Sequence, residues 1–154
     1  MTILRPELVP PKLDPDRVEY LAQLAARIFQ YLYLHLDAEL LIQHFSELTG
    51  CPPDLLDQSA ELYATDPRDF VERLLAPSPG RIADLTHAEL SELIRRITER
   101  EGRRYEIRFW GDVLYANVPS HVYNRLYNAM NWPTRPMTPE EMLIDAMSQP
   151  LPGM

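Results

Sequence analysis

Apolar residues recur at helical spacing over most of this chain. The first such stretch begins after Asp14-Pro15, where the Asp is suited to cap a helix and the Pro to open its first turn. The inward positions of this stretch are Val18, Leu21, Ala25, Ile28 and Leu32. The apolar stripe is broad, which favours a central core helix or one that packs on a second chain. The pattern predicts a helix over 16–36 and helical structure from Asp37 to Gly50, as one helix or two.

Further helices are marked by capping residues. An Asp before a Pro, or a Thr followed three residues later by a Glu, satisfies the free N–H groups of a first helical turn. Such pairs are Asp66-Pro67, Thr86 with Glu89, and Thr138 with Glu141. Another helix follows Ser120, and we expect Trp132 to be buried in the joint behind it. With a short helix after Cys51, the pattern predicts about six helices.

The stretch 105–118 alternates between apolar and polar residues instead. Gly111-Asp112 fits a two-residue type II′ turn, which requires glycine in its first position. In that register Phe109 and Leu114 are buried neighbours on an apolar face. The opposite face carries Arg108, Trp110, Val113 and Tyr115. The sequence therefore predicts a mainly α fold of the α+β class, a helical bundle with one β-hairpin near residues 105–118.

The length of the chain, 154 residues, is typical of one domain with a substantial core. We expect an extended, proline-rich arm at 1–13, a single helical domain with the hairpin at 14–148, and a flexible tail at 149–154. The only cysteine, Cys51, excludes an internal disulfide and fits a reducing compartment. The sequence contains neither a secretion signal nor an apolar run long enough for a membrane span, so we expect a cytoplasmic protein.

The net charge of −8 is spread unevenly. Residues 95–108 carry six arginines against three glutamates, whereas residues 1–94 carry seven basic and sixteen acidic groups. An acidic body disfavours nucleic acid, because phosphate chains bind to cationic surfaces. It favours basic protein partners through long-range attraction.

The arginine run has two interpretations. Cations near the end of a helix are stabilised by its dipole, which gives the run a structural role. Alternatively, the run forms a secondary basic patch that binds phosphate, nucleic acid or an acidic partner. Its members are Arg95, Arg96, Arg100, Arg103 and Arg104.

Histidines offer the main alternative chemistry. His35 and His44 lie nine positions apart, which places them on opposite sides of a single helix. Helical zinc pairs need a spacing of three or four residues, and adding Glu39 to His35 gives only two ligands. We predict neither a metal, a cofactor nor a catalytic residue. A small enzyme that uses His35, Glu39 and His44 remains an alternative.

The residue types on the outer hairpin face are those most enriched in binding hot spots. We therefore predict a small, acidic, non-enzymatic protein that binds another protein through Arg108, Trp110, Val113 and Tyr115. An inhibitor, immunity protein, chaperone or assembly subunit of a bacterium or phage would fit. A homodimer through the 16–36 helix is a further expectation, and nucleic-acid binding through residues 95–108 is the alternative.

Overall fold

The computed structural model describes residues 4–58 and 66–148 of the chain. All regular structure among these residues is helical. The elements are a 3₁₀ turn at Pro6–Leu8, α1 Pro15–Tyr33, α2 Glu39–Thr49, α3 Pro53–Gln58, α4 Pro67–Leu75, α5 His87–Thr98, α6 Arg104–Asn117, α7 Ser120–Asn131 and α8 Pro139–Ser148. The mainly α prediction is confirmed. The predicted β-hairpin and the α+β class are wrong, because the described residues contain no β-strand.

The supposed hairpin near residues 105–118 is helix α6. Its buried residues recur at a helical spacing that also fits the sequence: Phe109, Trp110, Val113 and Leu114. The hairpin would have left Trp110 and Val113 on its outer face, whereas the helix buries both in the core. Gly111 lies inside the helix, and nothing lies within 4 Å of the position a Cβ would occupy. Phe109 and Leu114 are buried as predicted, but as residues of one helical face rather than of two strands.

Four of the predicted helix starts are confirmed by their capping hydrogen bonds. The carboxylate of Asp14 accepts from the Asp16 N–H at 3.1 Å, and Asp66 caps α4 in the same way. At α5, the Thr86 hydroxyl and the Glu89 carboxylate each accept from the other residue's N–H. The Thr138 and Glu141 pair repeats this box at α8. Each box satisfies N–H groups that a first turn leaves free.

Residues 16–49, for which the sequence allows one helix or two, form two. His35 adopts a left-handed conformation (φ 57°) that interrupts the helix. The His35 N–H donates to the Leu32 carbonyl at 3.1 Å, and the Leu36 N–H donates to the Tyr31 carbonyl at 2.8 Å. This pair of bonds is the Schellman motif, with histidine where glycine is usual.

The end of α5 uses the same motif with an arginine. Arg100 is left-handed (φ 51°), and its N–H donates to the Ile97 carbonyl at 3.2 Å. The Glu101 N–H donates to the Arg96 carbonyl at 2.9 Å. Helix α5 therefore ends at Thr98. Gly102 comes after this turn with a positive φ of its own.

The contacts divide the chain into two compact units. Residues 11–77 form one, which we call the continuous unit, and residues 1–10 with 78–154 form the other, which we call the split unit. The prediction of a single domain over 14–148 stays a prediction. The tail predicted at 149–154 lies outside the described residues. None of the described helices is long and apolar enough to cross a membrane.

The core of the continuous unit forms where α1 packs against α4 and α2. Phe70 of α4 lies edge-on to Phe29 of α1, with ring centroids 5.6 Å apart, and stacks on Phe45 of α2 at 6.3 Å. The broad apolar stripe of α1 is therefore used within its own unit. A homodimer through the 16–36 helix stays a prediction.

The split unit packs α5, α6, α7 and α8 around a second core that includes Leu4 and Leu8. The indole N–H of Trp110 donates to the Leu8 carbonyl at 2.9 Å. Arg5 donates to both carboxylate oxygens of Glu89 and to the Asp84 carbonyl. The Arg5 guanidinium holds the pKa of Glu89 at about 2. Part of the predicted 1–13 arm is therefore tied into this core.

Candidate functional site

Four neighbouring aromatic side chains form a row on the split unit, which we call the aromatic surface: Tyr115, Tyr123, Tyr127 and Trp132. Successive ring centroids lie 5.1, 6.2 and 5.8 Å apart. Tyr115 and Trp132, at the two ends, are each 66% exposed, Tyr127 is exposed, and Tyr123 is half-buried. Exposed apolar groups that adjoin one another, unlike scattered ones, mark interaction sites.

The spacing of residues on α7 builds the centre of this surface. Tyr123 and Tyr127 are four positions apart, so they lie on one helical face. Val122 and Leu126 precede them on the face that enters the core. Trp132 comes after the last turn of α7. Its backbone N–H donates to the Asn128 carbonyl at 2.7 Å, which fixes the chain where the helix ends.

Helix α6 contributes the other edge. Arg108, Asp112 and Tyr115 succeed one another at spacings of four and three, so they share an exposed face. Arg108 Nε lies 3.9 Å from a carboxylate oxygen of Asp112. Burial, and then the nearby Asp112 carboxylate, raise the pKa of Tyr123.

Contacts between neighbouring rings limit the motion of the aromatic side chains. Tyr115 and Tyr123 meet at 84°, and Tyr127 and Trp132 at 65°, both edge-to-face arrangements. A surface held in place before binding loses less side-chain entropy when a partner arrives. The tyrosine hydroxyls add polar groups that can hydrogen-bond beside a large apolar area.

Two of the predicted partner-binding residues lie on or beside this surface and two do not. Tyr115 belongs to it, and Arg108 lies on the same face of α6. Trp110 is 3% exposed and Val113 is fully buried, so both belong to the core. The Arg96 guanidinium lies 5.3 Å above the Trp110 ring, a cation–π contact that the predicted hairpin did not include.

Within the predicted basic patch, Arg95 and Arg96 are neutralised by nearby carboxylates. Arg95 pairs with Glu92 at 2.7 Å and also with Glu99 and Glu101, and Arg96 pairs with Glu92 at 3.1 Å. The hydrogen bond from Arg95 is the largest cause of the lowered pKa of Glu92, which is itself buried. These two arginines therefore have structural partners.

The other three arginines of the run lie at the junction of α5 and α6. Arg100 forms the left-handed end of α5. Arg103 precedes α6, and its backbone N–H donates to the Glu106 carboxylate at 3.0 Å. Arg104 is the first residue of α6.

His35 and His44 each have a separate structural setting. The His44 ring nitrogen lies 3.1 Å from the Tyr20 hydroxyl, and His35 occupies the turn between α1 and α2. Among the described residues, no group of three His, Cys, Asp or Glu side chains is placed to hold a metal ion. Cys51 is buried, and burial raises the pKa of its thiol.

Three residues of the aromatic surface are not predicted from the sequence: Tyr123, Tyr127 and Trp132. The sequence places Trp132 in a buried joint, but it is one of the most exposed aromatic residues. A signal for the tyrosines exists, because two aromatic residues four apart lie on a predicted helix, each directly after an inward apolar position. Comparison of the chain with protein-family models, with curated proteins and with solved structures finds no match in any of the three.

Proposed function

We propose that this chain is a small, non-enzymatic protein-binding module that engages its partner through the aromatic surface. The observation that carries the proposal is the continuous row from Tyr115 to Trp132, with both ends two-thirds exposed. Tyrosine and tryptophan are among the residue types most enriched in binding hot spots. Rigid aromatic side chains supply a large contact area at low entropic cost.

The charge of the split unit supports a protein partner. Its two chain segments hold ten arginines and eleven carboxylates, whereas the continuous unit holds five basic and twelve acidic groups. The aromatic surface therefore belongs to the nearly neutral part of the chain. Nucleic acid is a weaker candidate, because phosphate chains bind to unneutralised cations and both Arg95 and Arg96 already pair with Glu92.

Site-specific photo-crosslinking tests this proposal although the partner is unidentified. A photoreactive phenylalanine analogue replaces Tyr115 or Tyr127, and the control replaces Tyr20, which is 54% exposed on α1. The variants are irradiated in the cells that produce the protein, and the crosslinked products are identified by mass spectrometry. We expect a discrete protein adduct at both test positions and not at Tyr20. A product of twice the chain mass would identify a second copy as the partner.

A matched substitution completes the test. Tyr115→Ser with Trp132→Ser removes the two exposed ends of the row. Because both side chains are mostly exposed and each loses one ring contact, each change should lower the stability by only about 1 kcal/mol or less. Binding to the crosslinked partner should weaken by about 2 kcal/mol or more. Identical adducts at all three crosslinker positions, or full binding by a folded double variant, would contradict the proposal.

A further inference from the structure

A second surface lies on the continuous unit, where α1 ends and α2 begins. A pocket of about 700 Å³ opens there. Buried Ala38 and Ile42 contribute to its lining, together with Leu32, Leu36 and Pro53. The charged residues among its lining are Asp37 and Glu39. The pocket is therefore lined by both apolar and polar groups, the latter being Asp37, Glu39 and Gln43.

Exposed apolar side chains are frequent in the chain segment that contributes to this pocket, and one of them, Leu36, is part of its lining. Between residues 33 and 40, four large apolar residues have more than half of their surface exposed: Tyr33, Leu34, Leu36 and Leu40. Leu40 is 81% exposed. Clustering of this kind is unusual on a surface that meets only water.

The backbone fixes part of this cluster in place. His35 holds a left-handed conformation between Leu34 and Leu36, although its side chain disfavours that conformation. The Leu36 N–H is bound to the Tyr31 carbonyl at 2.8 Å, so the turn is defined by hydrogen bonds. Apolar groups presented by a fixed turn need little further ordering when they bind.

The charged residues that line the pocket are both acidic, Asp37 and Glu39. Residues 28–67 contain seven Asp and Glu residues and neither Lys nor Arg. All residues that line the pocket belong to this stretch. One Asp37 oxygen accepts the Glu39 N–H at 3.0 Å, and both side chains are exposed to solvent. A partner that enters the pocket therefore meets apolar groups beside two carboxylates.

We propose that this pocket binds a basic segment of another protein, with a large apolar anchor side chain in the pocket and Lys or Arg residues beside it that pair with Asp37 and Glu39. Charge complementarity selects this occupant. A second copy of the same face, or an anionic membrane, would bring like charges together. The proposal goes beyond the aromatic surface and does not depend on it.

Peptide selection tests the chemistry of the occupant directly. A displayed library of random peptides is selected on the full chain, with counter-selection on the Leu36→Ser, Leu40→Ser variant. We expect the enriched peptides to carry net positive charge and at least one large apolar residue. Their affinities, measured by fluorescence anisotropy, should fall about tenfold or more with Leu40→Ser alone. The melting temperature of this variant should stay near that of the wild type, because Leu40 is mostly exposed.

The carboxylates have their own test. Asp37→Asn with Glu39→Gln keeps the oxygen that accepts the Glu39 N–H and removes both charges. This variant should bind the selected peptides more weakly and with less dependence on salt concentration. Leu48→Ser and Glu47→Gln on α2 are the matched controls, and both should bind like the wild type.

Three results would overturn the pocket proposal. One is a selected set of acidic or uncharged peptides, or a selection with no enriched peptide. Another is affinity that Leu40→Ser leaves unchanged or that the α2 controls reduce equally. The third is loss of binding only in the Tyr115→Ser, Trp132→Ser variant, which would support the aromatic surface and remove the pocket. Binding unaffected by that variant and lost with Leu40→Ser supports the pocket alone.

Discussion

Replacing Gly111 by alanine distinguishes a helix from a hairpin at residues 105–118. The two structures predict changes of opposite sign in the free energy of unfolding. In α6, Gly111 is an interior helical residue, and nothing lies within 4 Å of the new Cβ. The change therefore neither adds a packing contact nor creates a clash. The remaining contribution is helix propensity, for which alanine exceeds glycine by about 0.8–1.0 kcal/mol. We expect Gly111→Ala to raise the free energy of unfolding by about 1 kcal/mol.

Gly102→Ala is the matched control. Gly102 has a φ of 105°, and a Cβ there would lie 3.1 Å from an Oε1 atom of Glu106. The same substitution should therefore lower the stability, by about 1 kcal/mol or more, because alanine disfavours this backbone conformation. Urea unfolding of both variants, monitored by circular dichroism at the helical band, gives the two free energies on one scale.

The opposite sign at Gly111 would refute the helical assignment. In a type II′ turn the first residue has a positive φ, and alanine in that position would destabilise the protein. A loss of stability for Gly111→Ala, comparable to that for Gly102→Ala, would restore the hairpin. A gain at Gly111 with a loss at Gly102 is the result that the structure requires.

Three further measurements test other parts of the fold. Glu89→Gln should lower the unfolding free energy by about 2 kcal/mol at neutral pH. Since the folded pKa of Glu89 is about 2, below its ordinary value of 4.5, this stabilisation is complete above pH 4.5 and is lost as the pH falls towards 2, where urea titrations of variant and wild type should converge. A difference that stays constant with pH would contradict the ion pair with Arg5. His35→Gly should stabilise the protein by about 0.5–1 kcal/mol in thermal unfolding, because glycine accepts the left-handed conformation, and a destabilised variant would exclude the turn. Phe109→Ala should cost about 3–5 kcal/mol in chemical denaturation, whereas a loss below about 1 kcal/mol would place Phe109 at the surface.

The helix starts are predictable because their signals are local. A Thr with a Glu three positions later satisfies backbone donors that lie next to it, so the boxes at Thr86 and Thr138 depend on few distant contacts. The ends at His35 and Arg100 are harder to predict. Both residues disfavour the left-handed conformation, and the packing of the next residues along the chain decides where the helix breaks.

The hairpin prediction is wrong for an identifiable physical reason. Residues 105–118 satisfy both a two-residue and a helical period, and Gly111-Asp112 favours the hairpin only because the pair resembles a turn signal. The hairpin leaves the apolar Trp110 and Val113 on its outer face, and this exposure of apolar side chains argues against it. Burial of Trp110 beneath Arg96, with its N–H bonded to Leu8, depends on residues far away in the sequence. Periodicity alone does not reveal such contacts.

One of the four residues of the aromatic surface, Tyr115, is predicted from the sequence, and so is Arg108 on the same face of α6. Tyr115 and Arg108 are predicted from their residue types, and their seven-residue spacing keeps them on one face of the helix as well. Tyr123 becomes their neighbour only when α6 and α7 pack together. The sequence predicts Arg95 in a basic patch, because its pairing with Glu101 requires the turn after α5, which sequence spacing does not specify.

The split unit has a consequence for synthesis of the chain on the ribosome. Trp110 is made 102 residues after Leu8, its hydrogen-bond partner. At a synthesis rate of about 5–20 residues per second, roughly 5–20 s pass between the synthesis of Leu8 and that of Trp110. All residues of the continuous unit are synthesised within that interval. A nascent chain released before Trp110 would therefore carry an N-terminus without its core, and we expect such truncated products to be recognised by chaperones and proteases through Leu4 and Leu8.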